Sequence, residues 1–308
     1  MNNNFAVTNI KYSIIIPHYD IPLLLERLLN TIPEREDIQV IVVDDCSPGN
    51  DTYLEEYAFL RRSNVEFHIT RKNGGGGYAR NEGLKYAKGK WLLFADADDL
   101  FTTGFDKTLD KYYNNEEEII FFQIESVYSD NLSKHSERAT GRIREHEKLL
   151  NHIKDGILRY KFIEPWAKMI RKDLVTRHKI LFDETKVAND YFFSIQTGHY
   201  ARQVKVMPDT IYILTQRKGS VSAGGWADSL ENLQIRLQVI ARAQFFLQSN
   251  DVLLTPMPIR GLMVLALKHY PFFFLKELYH LSTQKIPIIQ LLFQMIFYAF
   301  GNKHDTSN

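Results

Sequence analysis

Three carboxylates stand within four residues at Asp96-Ala97-Asp98-Asp99, directly after the apolar run Trp91-Leu92-Leu93-Phe94-Ala95. Four apolar residues in a row read as a short strand buried on both faces. Burying a lone carboxylate costs several kcal/mol or shifts its pKa. The strand therefore has to end at Ala95 and release the acids at its carboxyl edge. Asp96 and Asp98, one residue apart, offer hard oxygen ligands to a divalent cation such as Mg²⁺ or Mn²⁺, of the kind usually shared with substrate phosphates. A solvated acidic turn fits the same residues, since Asp is common in turns. A second acidic pair, Asp44-Asp45, ends the run Gln39 to Val43, apolar from Val40 on, and is followed by turn residues Cys46 to Asp51. Asp44 there is either a site residue or a helix cap. A third feature, Asn73 followed by Gly74 to Gly77, opens a helix. Small residues at a helix N-terminus let anions approach closely; a flexible linker is the plain alternative. The run is not a P-loop, because no Gly-Lys-Ser/Thr follows, and it is not the dinucleotide fingerprint, which belongs after the first strand.

These residues need elements to position them. Ser13 to Ile16 is a buried strand ended by Pro17, and His18-Tyr19-Asp20 is a loop in which Asp20 caps a helix from Ile21 to Asn30. Gln39 to Val43 is a second strand and Thr52 to about Arg61 a helix. Val65 to Ile69 is a third strand, and a helix from Tyr78 to Lys88 is stopped by Gly89. The β-α-β-α-β-loop-α-β alternation predicts an α/β fold with a doubly wound, mostly parallel sheet. Ligands bind such sheets at the carboxyl ends of the strands. Both Asp pairs and the glycine loop converge there, which points to a nucleotide site more strongly than any one motif. Tyr19, at a strand's carboxyl end, is either a surface aromatic or a platform for a nucleobase.

Composition sets bounds. At 308 residues, 44% hydrophobic and 13% aromatic, the chain can bury a sizeable core. Lys and Arg number 38 against 37 Asp and Glu, so bulk charge gives no indication of nucleic-acid binding. The one cysteine, Cys46, excludes an intrachain disulfide or a Cys-rich zinc site and fits a reducing, cytoplasmic compartment. The N-terminal residues do not read as a signal peptide, and no apolar run reaches the length of a spanning helix.

Taken together, SIIIPHYD, VIVVDDCSPGNDT, NGGGGYARNEGLKYAKGKWLLFADADD and the later PWAKMIRKDLV and NDYFFSIQ resemble the family-2 glycosyltransferases, which have the GT-A fold. The segments occur in the family's order. The resemblance is specific over residues 11–105, weaker to about 222, and absent beyond. It implies a metal-dependent, inverting transfer from a nucleotide-diphosphate sugar, a UDP-sugar first of all. It places Pro17 and Tyr19 at the base pocket, with Tyr19 over the nucleobase, and Asp44 at the nucleobase edge. Arg80 lies near the nucleotide with Asn81 supporting the loop. Asp96 borders ribose and metal, Asp98 is the direct metal ligand, and Asp99 supports the site or meets the sugar. A divalent cation would neutralise the diphosphate as charge builds on the leaving group.

In the second half, Trp166 either packs against the sugar or belongs to the core, and Lys168 is either structural or a phosphate contact. Where the family has Glu-Asp, this chain has Asn189-Asp190. The resemblance makes Asp190 the general base; the competing reading is a cap on the helix Tyr191 to His199. Arg217, Lys218 and Ser220 form a lid over the donor or a plain basic loop. Beyond about Gly225 the chain turns into apolar helices: Leu230 to Gln248, Arg260 to His269, Phe272 to Leu281 and Ile286 to Phe300. They suit a membrane interface near a lipid-linked acceptor, a helical cap or a dimer contact.

The expected organisation is a nucleotide-sugar half (1–105), an acceptor half (106–225) and a helical C-terminal region (226–308). The expected role is synthesis of a bacterial surface glycan, on a glycan or lipid-linked acceptor, in the cytoplasm or peripheral on the inner face of the membrane. Two rivals are a nucleotidyltransferase, which lacks its usual N-terminal phosphate loop here, and a catalytically silent sugar-nucleotide-binding scaffold.

Overall fold

A computed structural model describes residues 9–151, 159–217, 229–252 and 259–283. The chain separates into two compact units, residues 1–218 and 219–308.

The first unit is built on one sheet. Strands β1 (Tyr12–His18), β2 (Ile38–Asp44), β3 (Val65–Ile69) and β4 (Trp91–Phe94) run parallel in the order β3-β2-β1-β4. Between them lie helices α1 (Pro22–Leu29), α2 (Tyr53–Glu56) and α3 (Gly75–Tyr86). β2 is buried along its whole length and β1 nearly so, as Ile/Val runs covered on both faces should be. Their side chains alternate between two cores. Ile14, Ile16, Val40, Val42, Trp91 and Leu93 face one; Ile15, Ile41, Val43, Leu92 and Phe94 face the other, with Ala79, Phe182 and Phe193.

Pro17 does not end β1. Ile15 accepts from the Ala95 N–H on the β4 side, so Pro17, two residues on, faces the same way, past the end of β4. Its missing N–H leaves no ladder bond unmade there. Asp20 does not cap α1 either. It sits at φ 52°, its own N–H donates to Ser47 Oγ at 2.7 Å, and Ile21 takes the cap position without a side-chain bond. The helix expected over Thr52 to Arg61 breaks at Tyr57, which is extended, leaving α2 between two 3₁₀ turns.

Beyond β4 the sheet is mixed. The chain continues through β5 (Leu100–Phe101), α4 (Phe105–Tyr112), the hairpin β6 (Ile119–Tyr128) and β7 (Asn131–His135), and α5 (Thr140–Asn151). Then follow β8 (Lys168–Arg171), α6 (Lys172–Arg177), α7 (Tyr191–Tyr200) and β9 (Val204–Gln216). β8 lies antiparallel between β4 and β6, β9 is parallel to β6, and β5 is antiparallel to β9. The polar stretch 129–145 thus forms a hairpin leading into a helix. Strands from residues 12–94 and from residues 100–216 thus share one sheet.

In the second unit α8 (Leu230–Ser249) is capped by Ser229, whose Oγ accepts from the Asn232 N–H at 3.1 Å. Helices α9 (Ile259–His269) and α10 (Pro271–Thr283) follow, and α9 packs against both its neighbours. The apolar run Ile286 to Phe300 lies outside the described residues. Among the described residues no helix is long and apolar enough to cross a membrane.

Candidate active site

The carboxyl ends of β1, β2 and β4 meet as the strand pattern requires, with His18 opposite Asp44 and Ile15 opposite Phe94. Asp44 is fully buried. Its Oδ1 accepts from the Ser47 N–H and Asn50 Nδ2, each at 2.8 Å, and its Oδ2 accepts from Ser47 Oγ at 2.6 Å and His18 Nδ1 at 2.8 Å. The Ile21 N–H donates to His18 Nε2 at 3.2 Å, which puts the ring proton on Nδ1. Burial alone would raise the Asp44 pKa, but the donors from His18, Asn50 and Ser47 outweigh it and hold the carboxyl below its usual range. Both oxygens expected at a nucleobase edge are therefore taken up by the protein. Pro17 is half-buried and Tyr19 is 48% exposed at the rim.

Asp45 explains the glycine run. Its carboxylate accepts from the Gly74 N–H at 2.9 Å and the Gly75 N–H at 2.6 Å. The anion at the start of α3 is thus a side chain of the protein, not a ligand phosphate. The glycines serve packing: a Cβ on Gly77 would meet the Asp183 carbonyl oxygen at 1.9 Å, and Gly75 has φ 84°. The 182–190 loop can lie on the helix because nothing projects there.

That loop is fastened by Asn81, whose Nδ2 donates to the Phe182 carbonyl at 3.0 Å and whose Oδ1 accepts from the Phe182 N–H at 2.8 Å. The residue before it, the buried Arg80, bridges two sides of the site. Nη2 pairs with Asp96 Oδ1 at 2.5 Å and Nη1 donates to Asn189 Oδ1 at 2.9 Å. Asn189, where the family has an acid, thus gives Arg80 a neutral acceptor and leaves Asp96 as its one carboxylate partner among the described residues.

The three acids after β4 have separate fates. Asp96 is part-exposed, and its backbone N–H donates to Tyr212 Oη at 2.9 Å. Asp98 Oδ2 pairs with Arg217 Nε at 2.8 Å, and its carbonyl accepts from Arg27 Nη2 and Thr215 Oγ1, each at 2.7 Å. Asp99 points inward and is 1% exposed. Tyr212 Oη donates to its Oδ2 at 2.8 Å and the Thr215 N–H to its Oδ1 at 2.7 Å. Burial, then the charges of Asp96 and Asp98, push its pKa well up. Asp99 therefore braces the turn and has no face toward a sugar. Trp166, 7% exposed, stacks flat on Tyr212 at 5.5 Å and an interplanar angle of 5°. It sits in the core beneath the acids.

A divalent cation fits this donor set as a shared ligand only. Arg80 takes one oxygen of Asp96 and Arg217 one of Asp98, leaving one oxygen on each. Among the described residues no cluster of three His, Cys, Asp or Glu side chains could hold a metal ion alone. Two carboxylate oxygens plus substrate phosphate and water would complete octahedral coordination.

Asp190 holds the N-cap position of α7, yet its side chain makes no capping bond. The backbone before it is strained, with Ala188 at φ 56°. Burial pushes the carboxyl up to about 6; the Arg80 charge opposes this, and Glu164 and Asp96 add to it. An uncapped, half-buried carboxylate of this kind suits proton abstraction near neutral pH. Lys168 is wholly internal. It donates to the Phe162 carbonyl at 2.5 Å, and burial lowers its pKa to about 7.

Sequence reading did not anticipate His18, Arg27, Tyr212 or Thr215, and it marked Asp45 only as part of an acidic pair, not as the partner of the glycine run. Tyr212 is 116 residues from Asp96, and no local pattern marks it.

Residues 13–176 match the family Glycosyl transferase family 2. The uncharacterized glycosyltransferase EpsJ of Bacillus subtilis is 25% identical over 73% of this chain and 67% of its own. The poly(ribitol-phosphate) beta-N-acetylglucosaminyltransferase TarS of Staphylococcus aureus is 26% identical over 68% of this chain and 36% of its own. The chain thus spans little more than a third of the length of that relative. The solved structure of TarS residues 1–349 with UDP-GlcNAc superposes with a TM-score of 0.61 at 22% identity, over 82% of this chain and 70% of that one. A mannosyltransferase from Pyrobaculum calidifontis, solved with GDP-Man and Mn²⁺, superposes with a TM-score of 0.54 at 17% identity, over 94% and 80% of the two chains.

Proposed function

Because the chain belongs to glycosyl transferase family 2, we propose that it transfers a sugar from a UDP-sugar to a hydroxyl of a bacterial surface polymer. The fold is that of the GT-A glycosyltransferases. A UDP-sugar is favoured over other nucleotide donors by the UDP-GlcNAc bound to TarS, a relative in sequence as well as in fold. The acceptor class is suggested by the poly(ribitol-phosphate) named for the same relative.

The observation that carries this reading is Arg80, which ties Asp96 of the acidic turn to Asn189, the residue next to the uncapped Asp190. In the reaction Asp190 takes the proton from the acceptor hydroxyl as its oxygen bonds to the anomeric carbon. The bond from that carbon to the donor diphosphate breaks in the same displacement, so the configuration inverts. Arg80 keeps Asp96 oriented and limits how far burial raises the base. Tyr19, at the exposed rim, stacks on the uracil, and Pro17 lines the pocket beside it. Trp166 supports the pocket floor through Tyr212. A divalent cation, held by the remaining oxygens of Asp96 and Asp98, would supply charge neutralisation at the leaving diphosphate. The exposed apolar positions Phe272, Leu275 and Tyr279 on α10 support contact with a membrane carrying a lipid-linked acceptor.

Calorimetry of UDP with and without Mn²⁺ tests the donor half. Binding that requires Mn²⁺ and disappears in Asp98→Asn is expected. Equal binding by Asp98→Asn would remove the acidic turn from the donor site.

A further inference from the structure

At the end of β4 opposite the acidic turn, the protein has a second concave site. The antiparallel register sets Trp91 beside Arg171. The turn entering β4 and the segment leaving β8 therefore open together, around a depression of about 640 Å³. Lys88, Lys90, Arg171, Lys172 and Arg177 line it, against a single acid, Asp173.

Two of the five cations find a close acid just outside: Lys88 pairs with Glu66 and Arg177 with Glu118, each at 2.8 Å. Asp173 is shared at longer range, 3.5 Å from Arg171 and 3.7 Å from Arg177. Lys90 and Lys172 form no salt bridge among the described residues. Lys90 is held with its ammonium 4.4 Å above the Tyr113 ring and 3.0 Å from the Tyr113 carbonyl oxygen. Burial, then the neighbouring Arg171 charge, lowers its pKa. Like charges are kept close with little counter-charge, and a bound anion would relieve their repulsion.

The frame is rigid. The N–H groups of Lys88 and Gly89 both donate to Ser13 Oγ, at 3.1 and 2.8 Å, and the Lys172 N–H donates to the Lys90 carbonyl at 3.0 Å. A Cβ on Gly89 would meet the Ser13 backbone nitrogen at 2.5 Å, so the turn lies flat on β1. The Arg171 guanidinium rests 5.2 Å above the Trp91 ring, which fixes its plane. A planar guanidinium flanked by lysine ammoniums matches the oxygens of a phosphate group.

We propose that this depression binds a phosphate-bearing ligand, a diphosphate or a phosphodiester segment, independently of the donor site. A concave pocket with the cations at its walls suits such a group better than a flat membrane.

The test is calorimetry on the full chain at low ionic strength, in metal-free buffer without nucleotide, where the donor site is not expected to hold a diphosphate, with three probes: inorganic pyrophosphate, a glycerol-phosphodiester oligomer, and phosphatidylglycerol vesicles. Binding of pyrophosphate or the oligomer is expected, weakened at least tenfold in Lys90→Gln/Lys172→Gln and little changed in Lys88→Gln. Pyrophosphate binding alone would identify a free-phosphate site, and tighter oligomer binding a polymer site. Circular dichroism of each variant separates loss of binding from loss of fold. Three results would overturn the proposal: no binding of either soluble probe to the wild type, equal binding by the folded double variant, or binding to vesicles alone.

Discussion

Asp190 and Asp44 show how environment separates two aspartates of one edge. Asp44 receives four donors and is held ionised. Asp190 receives no cap bond and is pushed up to about 6. Since the base form is needed, turnover should fall as pH drops through about 6, and a pH profile of kcat/KM reads this. The folded state also binds its proton more tightly than the unfolded chain, so this group lowers stability as pH rises from the ordinary aspartate range to about 6. Asp190→Asn should therefore unfold later in urea at pH 7, by about 1–3 kcal/mol. An unchanged or earlier midpoint would show that the carboxylate is not strained there. For Asp44 the sign is opposite: its stabilisation is present above the unfolded-state pKa and is lost on acidification. Asp44→Ala strands the donors of His18, Ser47 and Asn50 and should cost about 2–4 kcal/mol in chemical denaturation at pH 7. A loss below about 0.5 kcal/mol would mean the turn closes without it.

At the scale of elements, α3 and the 182–190 loop act as one piece. Gly77→Ala would drive a methyl into the Asp183 carbonyl and lift the loop that ends in Asp190. Both stability and turnover should fall, by about 1–3 kcal/mol in the urea midpoint; wild-type behaviour would show that the loop can shift without consequence. Strand periodicity and the breaks at acids were enough to place the first four strands and the carboxyl edge, because burial on both faces writes itself into consecutive residues. The glycine run was legible as a helix start but not in its purpose. What fills that helix terminus is Asp45, 29 residues away from Gly74, and only the fold brings them together. The same holds for Asp99 and Trp166. The sequence showed an acid and an aromatic near a site, while Tyr212, on the strand that pairs with β5 directly after Asp99, bonds the acid and stacks on the aromatic.

At the scale of the molecule, two compact units divide the work. The first carries the acidic turn, Arg80 and Asp190, and the second is helical, with Phe272 89% exposed on α10. If α10 meets a membrane, Phe272→Ser/Leu275→Ser should lower sedimentation with vesicles and leave UDP binding intact; equal sedimentation of the double variant would contradict it. The central claim is that a base on α7 acts across from a donor held at the end of β4. The most direct measurement is single-turnover transfer by Asp190→Asn beside calorimetric UDP binding in Mn²⁺. The account predicts unchanged binding and a rate lower by about 10²–10⁴-fold, the range for removing a general base. A variant that binds UDP normally and transfers at the wild-type rate would contradict it.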